Sequence, residues 1–167
     1  MLMIGSTDYI IRWATSDDEP FLWEMLYHAI WIPPGSAPLS REAVNAPELA
    51  RYVAGWGKDG DFGLLAVDVR SQHPIGAAWL RLFTGENRGY GYINNDTPEL
   101  SVAVLPEHRG RGVGSGLLTR LFREVRSRYS TISLSVSEDN PAVRLYERLG
   151  FLMVSKEGGS MTMIRTW

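Results

Sequence analysis

"LPEHRGRGVGSGLLTRLFREV", residues 105–125, decides how this chain folds. It follows the β-rich run "ELSVAVLP" and opens a helix with Val113, Leu117, Leu118, Leu121, Phe122 and Val125 on one face. The strictly alternating "TISLSVS" comes next and places Ile132, Leu134 and Val136 together. Strand, helix and strand form one βαβ unit, whose strands must be parallel. Between the first strand and the helix lie the four glycines and two arginines of "RGRGVGSG". Amides at a helix N-terminus are unpaired and the dipole adds roughly half a positive charge there, so the turn is suited to phosphate. Spacing narrows the guest. No lysine follows any of these four glycines as a P-loop requires, and neither glycine register completes G-x-G-x-x-G. Residues 100–128 hold six arginines against Glu107 and Glu124, a local net charge of +4.

The rest of the chain supplies a mixed sheet. "YIIRWA" reads as a strand, and "TSDDEPFLWEMLYHAI" as a helix opened by a Ser16–Glu19 capping box and Pro20. Phe21, Leu22, Met25, Leu26 and Ala29 form its buried face. "WIPPGSAPLS" breaks that helix, and "APELARYVAGWG" predicts a second one with Leu49, Tyr52, Val53 and Trp56 on one side. "FGLLAVDV" and "IGAAWLRLF" flank "RSQHP", too short for a crossover, so they form an antiparallel hairpin. "TGENRGYGYINNDTP" is a long polar loop, and "GYGYINND" within it is an acceptor-loop candidate. "NPAVRLYERLG" supplies a short helix, and "FLMVSK", "EGGS" and "MTMIRTW" a closing hairpin. The order βααβββαβαββ gives an α/β fold of the α+β type, with a mixed, mostly antiparallel central sheet and helices on both faces.

Composition bounds the function. A chain of 167 residues with 44% hydrophobic residues fits one compact domain, residues 1–167. Seventeen Lys and Arg against nineteen Asp and Glu give a net charge of -2, so nothing draws the whole molecule to nucleic acid or an anionic membrane. Cysteine is absent, which excludes disulfides and thiolate chemistry. His28, His73 and His108 are scattered without zinc spacing, so no metal is expected. The N-terminus shows no leader pattern and no run approaches the ~20 apolar residues of a membrane span, so the expected location is cytoplasmic.

Arg109, Gly112 and Gly114 fit R-x-x-G-x-G. With "IRWATSDD", "VLPEHRGRGVG" and "NPAVRLYERLGF" in order, the chain resembles the GNAT superfamily of acyl-CoA-dependent N-acyltransferases. The resemblance weakens in residues 30–60 and 84–98. It implies the acyl-CoA N-acyltransferase fold, acetyl-CoA as co-substrate and an amine acceptor, small molecule or peptide. By that resemblance the amides of Gly110, Arg111, Gly112, Val113, Gly114 and Ser115 cradle the CoA pyrophosphate, with Arg109 packing or hydrogen-bonding nearby. Val102, Ala103 and Val104 hold the pantetheine arm and thioester, the Val104 amide meeting the carbonyl. Asn140 caps a helix or reaches the pantetheine.

Tyr146 matches the family's general acid. A phenol with pKa ~10 is protonated at neutral pH and can donate to a thiolate whose thiol has pKa about 8.5. Glu99 matches a base position, acting directly or through water, with Asp96, Glu138 and Asp139 as rivals. The implied reaction is direct attack of a primary amine on acetyl-CoA in a ternary complex. A non-catalytic CoA-binding or ligand-sensing module of the same fold is the alternative, and a nucleotide-binding oxidoreductase comes third. A pocket enclosed by residues 24–34 and 84–98 would favour a small acceptor. The terminal "MTMIRTW" leaves a homodimer by sheet addition open.

Overall fold

A computed structural model describes residues 8–167. The reading that no leader precedes the domain therefore lies partly outside the described residues. The strands are β1 (Tyr9–Trp13), β2 (Phe62–Asp68), β3 (Pro74–Arg81), β4 (Glu99–Val104), β5 (Thr131–Ser137), β6 (Leu152–Glu157) and β7 (Ser160–Thr166). The helices are α1 (Glu19–Ala29), α2 (Pro47–Ala50), α3 (Val113–Val125) and α4 (Ala142–Arg148). All seven strands form one sheet in the order β1-β2-β3-β4-β5-β7-β6, antiparallel except for β4 beside β5. The expected element order and the mixed sheet are therefore observed.

Alternation along the strands divides the core in two. Leu64, Ala78, Leu100, Ile132 and Leu134 face α3, whose Leu117, Leu118 and Leu121 are fully buried. Leu65, Ala77, Trp79 and Ala103 face the other way, under Leu22, Met25 and Leu26 of α1. Helices thus cover both faces of the sheet, as the pattern of apolar residues requires. Phe21 and Ala29 of α1 are only partly buried.

Three local expectations are corrected. The capping box forms one residue early: Thr15 and Asp18 reciprocate, opening a 3-10 turn over Ser16–Asp18 before α1. The second helix stops at Ala50 rather than running on to Gly57. Tyr52, Val53 and Trp56 are nonetheless buried. Side chains take the carbonyls that a longer helix would need. Arg81 Nη1 donates to Arg51 O (3.0 Å) and Ala54 O (2.7 Å), and Trp79 Nε1 donates to Tyr52 O (2.9 Å). Tertiary hydrogen bonds have outcompeted a helix of ordinary propensity. Finally, β7 lies between β5 and β6, so "MTMIRTW" is an interior strand and cannot add to a partner's sheet. The free edge on that side is β6.

Candidate active site

The parallel pair at the centre of the sheet creates the site. β4 and β5 are in register only at Glu99 and Ser133, after which they part. On the other side β4 stays paired to β3 through Val104, and the Leu105 amide still donates to Ile75 O at 2.8 Å. Ladder bonds alternate along an antiparallel strand, so Ala103 is bonded to β3 while the amides of Val102 and Val104 turn toward the gap. A fully paired strand could not offer those donors.

The glycine turn closes the upper end of this gap. Gly110 and Gly112 have φ of +77° and +80°, the left-handed region that a side chain strains. Gly112 is the N-cap of α3, and the first intrahelical bond there runs from Gly116 N to Gly112 O (2.9 Å). The amides of Val113, Gly114 and Ser115 therefore lack intrahelical acceptors and point outward at the positive end of the dipole. Arg109 reaches from this turn across the gap. Its Nε donates to Val104 O (3.1 Å) and its Nη2 to His28 O (3.4 Å), fixing β4, the turn and the end of α1 together.

These elements line one cleft of about 910 Å³. Val102, Ala103, Val104, Arg109, Gly110, Gly112, Val113, Gly114, Ser115, Asn140 and Tyr146 all contribute to its wall. Arg111 does not, being turned out to solvent. Asn140 Oδ1 accepts from the Ala142 amide (2.9 Å), the capping role expected at the start of α4. Tyr146 projects from α4 into the same cleft with its ring against Phe151, centroids 5.9 Å apart. Burial pushes its phenol up to about 12, so it holds its proton across the neutral range.

Glu99 is not in that wall. It is 3% exposed at the closed end of the β4–β5 pair, on the face covered by residues 84–98. The Tyr52 hydroxyl donates to Glu99 Oε2 and accepts the Tyr90 amide, while Glu99 Oε1 has no partner. Desolvation pushes the carboxyl up to about 7, offset in part by Tyr52 and the Gly91 amide. The same burial and the neighbouring Glu99 raise Tyr52 above an ordinary phenol. Of the rival carboxylates, Asp96 is exposed and Glu138 pairs with Lys156 at 2.6 Å; neither these nor Asp139 line the cleft.

The expectation of a pocket walled by residues 24–34 and 84–98 is met on the first side, where it stopped short of residues 35–39, and not on the second. Residues 27–39, from Tyr27 to Leu39, close the side facing β4, whereas the loop 84–98 packs on Glu99 and Tyr52 and stays out of the cleft. Tyr27 donates to Leu39 O (2.8 Å), and His28 Nε2 is 2.8 Å from Glu24 Oε2, while Arg41 donates to Glu24 Oε1. The signal was the pair of prolines in "WIPPGSAPLS", which breaks a helix but does not say where the chain goes next. Among the described residues there is no group of three or more metal-ligating side chains, and no helix is long and apolar enough to cross a membrane.

The sequence profile of the Acetyltransferase (GNAT) family matches residues 11–151. The chain belongs to this family. A mycothiol acetyltransferase of Corynebacterium aurimucosum is 37% identical over 78 residues, which are 46% of this chain and 24% of that protein. The L-amino acid N-acyltransferase MnaT of Escherichia coli is 32% identical over 73 residues, 42% of each chain. The matches thus span less than half the length of either curated relative. Among solved structures, the PaiA N-acetyltransferase of Thermoplasma acidophilum in complex with coenzyme A aligns with a TM-score of 0.68 at 16% identity, covering 96% of this chain and all of that one. A phosphinothricin acetyltransferase of Sinorhizobium meliloti in complex with acetyl-CoA aligns at 0.62 and 17%, covering 96% and 89%. Both likenesses establish the GNAT acyltransferase fold.

Proposed function

We propose that this GNAT protein transfers an acetyl group from acetyl-CoA to a primary amine by direct attack in a ternary complex. The observation that carries the reading is that the glycine turn, the open edge of β4 and Tyr146 share one cleft. The amides of residues 113–115 would meet the pyrophosphate, and the Val102 and Val104 amides the pantetheine arm and the thioester oxygen. Acetyl-CoA supplies an activated carbonyl. A hydrogen bond from the Val104 amide to its oxygen would strengthen as negative charge gathers there. The amine lone pair attacks the carbonyl carbon, the C–S bond breaks, and the Tyr146 hydroxyl gives its proton to the departing thiolate.

Glu99 does not touch the amine in this scheme. Its unpartnered Oε1 and raised pKa support a role as a proton acceptor reached through water. The Tyr146→Phe variant tests the assignment. Its kcat should fall by about 10²–10⁴ while CoA affinity, measured by calorimetry, stays within a few fold. Unchanged turnover would remove Tyr146 from the acid role, and no CoA binding at millimolar concentration would remove the reading itself.

A further inference from the structure

The wall between Tyr27 and Leu39 contains no Asp, Glu, Lys or Arg. Trp31, Ile32, Pro33, Pro34, Pro38 and Leu39 give it an apolar surface, and His28 is its one imidazole. Among the described residues no carboxylate lines the cleft, and their other ionisable groups there are His108, Arg109, Arg148 and the phenols of Tyr27 and Tyr146. Two nearby acids are engaged elsewhere: Glu24 with His28 and Arg41, and Glu99 with Tyr52.

Three backbone oxygens beside the cleft already have side-chain donors. Leu39 O accepts from Tyr27, while His28 O and Val104 O both accept from Arg109. The Tyr27 ring, a surface for a cation, already has the Arg41 guanidinium at 4.1 Å from its centroid. A positive charge brought here loses water and gains no carboxylate partner.

From this lining we infer that the acceptor is a small amine with a single positive charge on an apolar body, and that polyamines and other polycations are rejected. The inference rests on the acetyl-transfer reading above and names the substrate class for it. The reacting ammonium must shed its proton before attack, so its charge is lost on the way to the reaction. A second ammonium keeps its charge and must be desolvated among arginines, histidines and apolar side chains. The apolar body is what the tryptophan and proline wall can reward.

A matched pair isolates the second charge: pentylamine and 1,5-diaminopentane share a five-carbon chain. Release of CoA thiol from acetyl-CoA is followed with both, and with phenethylamine and spermidine as an aromatic monoamine and a longer polyamine. The expected kcat/KM for the monoamines exceeds that for the diamine and spermidine by at least about tenfold, equivalent to about 1.4 kcal/mol. Ser36 is exposed on the cleft rim, so Ser36→Asp should fold normally. It should narrow the gap by raising the diamine's kcat/KM several fold. Equal or better use of 1,5-diaminopentane by the unaltered protein overturns the inference while leaving acetyl transfer standing. Thiol release with none of the four amines, in protein that binds acetyl-CoA, likewise overturns the inferred acceptor class, whereas failure to bind acetyl-CoA overturns the transferase reading beneath it.

Discussion

Replacing Glu99 by glutamine removes a carboxylate that is 3% exposed, and its raised pKa sets the effect on stability. An ordinary glutamate titrates at 4.5, whereas burial raises Glu99 to about 7 in the folded protein. Between these values the unfolded chain releases its proton while the folded one keeps it, so stability falls as pH rises through that window and levels off above 7. The separation corresponds to about 3 kcal/mol in all, of which about 2 kcal/mol falls between pH 5.5 and 8.5. Glutamine stays neutral and cannot pay this penalty. Urea denaturation of both proteins at pH 5.5, 7 and 8.5 therefore gives Glu99→Gln a stability that gains on the original by about 2 kcal/mol across the range, with unchanged m. Taking the difference at each pH cancels every other titrating group. Parallel stability curves would show that Glu99 ionises normally when folded and would remove the basis for its role as a neutral-pH proton acceptor.

Other perturbations test other parts of the structure. Arg81 and Asp61 form a buried bidentate pair, with contacts of 3.1 and 2.9 Å. Asp61→Ala strands the cation on two carbonyls and should cost about 3–5 kcal/mol in chemical denaturation. A loss below about 1 kcal/mol would mean that water solvates Arg81. Gly112→Ala forces a side chain into φ of +80° with open space around the new methyl, so strain rather than collision sets a cost of about 1–2 kcal/mol. CoA affinity should fall with it, as calorimetry would show. Gly89→Ala would place a methyl 2.2 Å from Glu99 Oε1 and 2.6 Å from the Tyr52 hydroxyl. It should displace the 84–98 loop, visible as faster amide exchange at Tyr90, while thermal stability of the α3 face changes little.

Much of this molecule was legible because the evidence was local. Strand alternation, the amphipathic α3 and the glycine hairpin between β6 and β7 are each written within a dozen residues, and the element order follows from them. The phosphate-suited turn is local too. Gly110 and Gly112 adopt left-handed φ and the helix begins where its apolar face begins. Tyr146 and Asn140, carried by one short helix motif, both line the cleft.

What failed was whatever depended on a distant partner. α2 ends early because Arg81 and Trp79, about thirty residues away in sequence, claim the carbonyls of Arg51, Tyr52 and Ala54. Glu99 has the look of a strand-end carboxylate in sequence, and only the covering by Tyr52 and the 84–98 loop makes it a buried group with a raised pKa. The terminal strand looked like an edge because chain order does not reveal that β7 inserts between β5 and β6. The sequence by itself determined the order of the elements and the glycine turn before α3, since backbone conformation and short-range periodicity suffice for these. Tertiary structure alone decided the parting of β4 from β5, the burial of Glu99 and the uncharged wall at residues 27–39, because each arises from contacts between segments that the chain brings together only on folding.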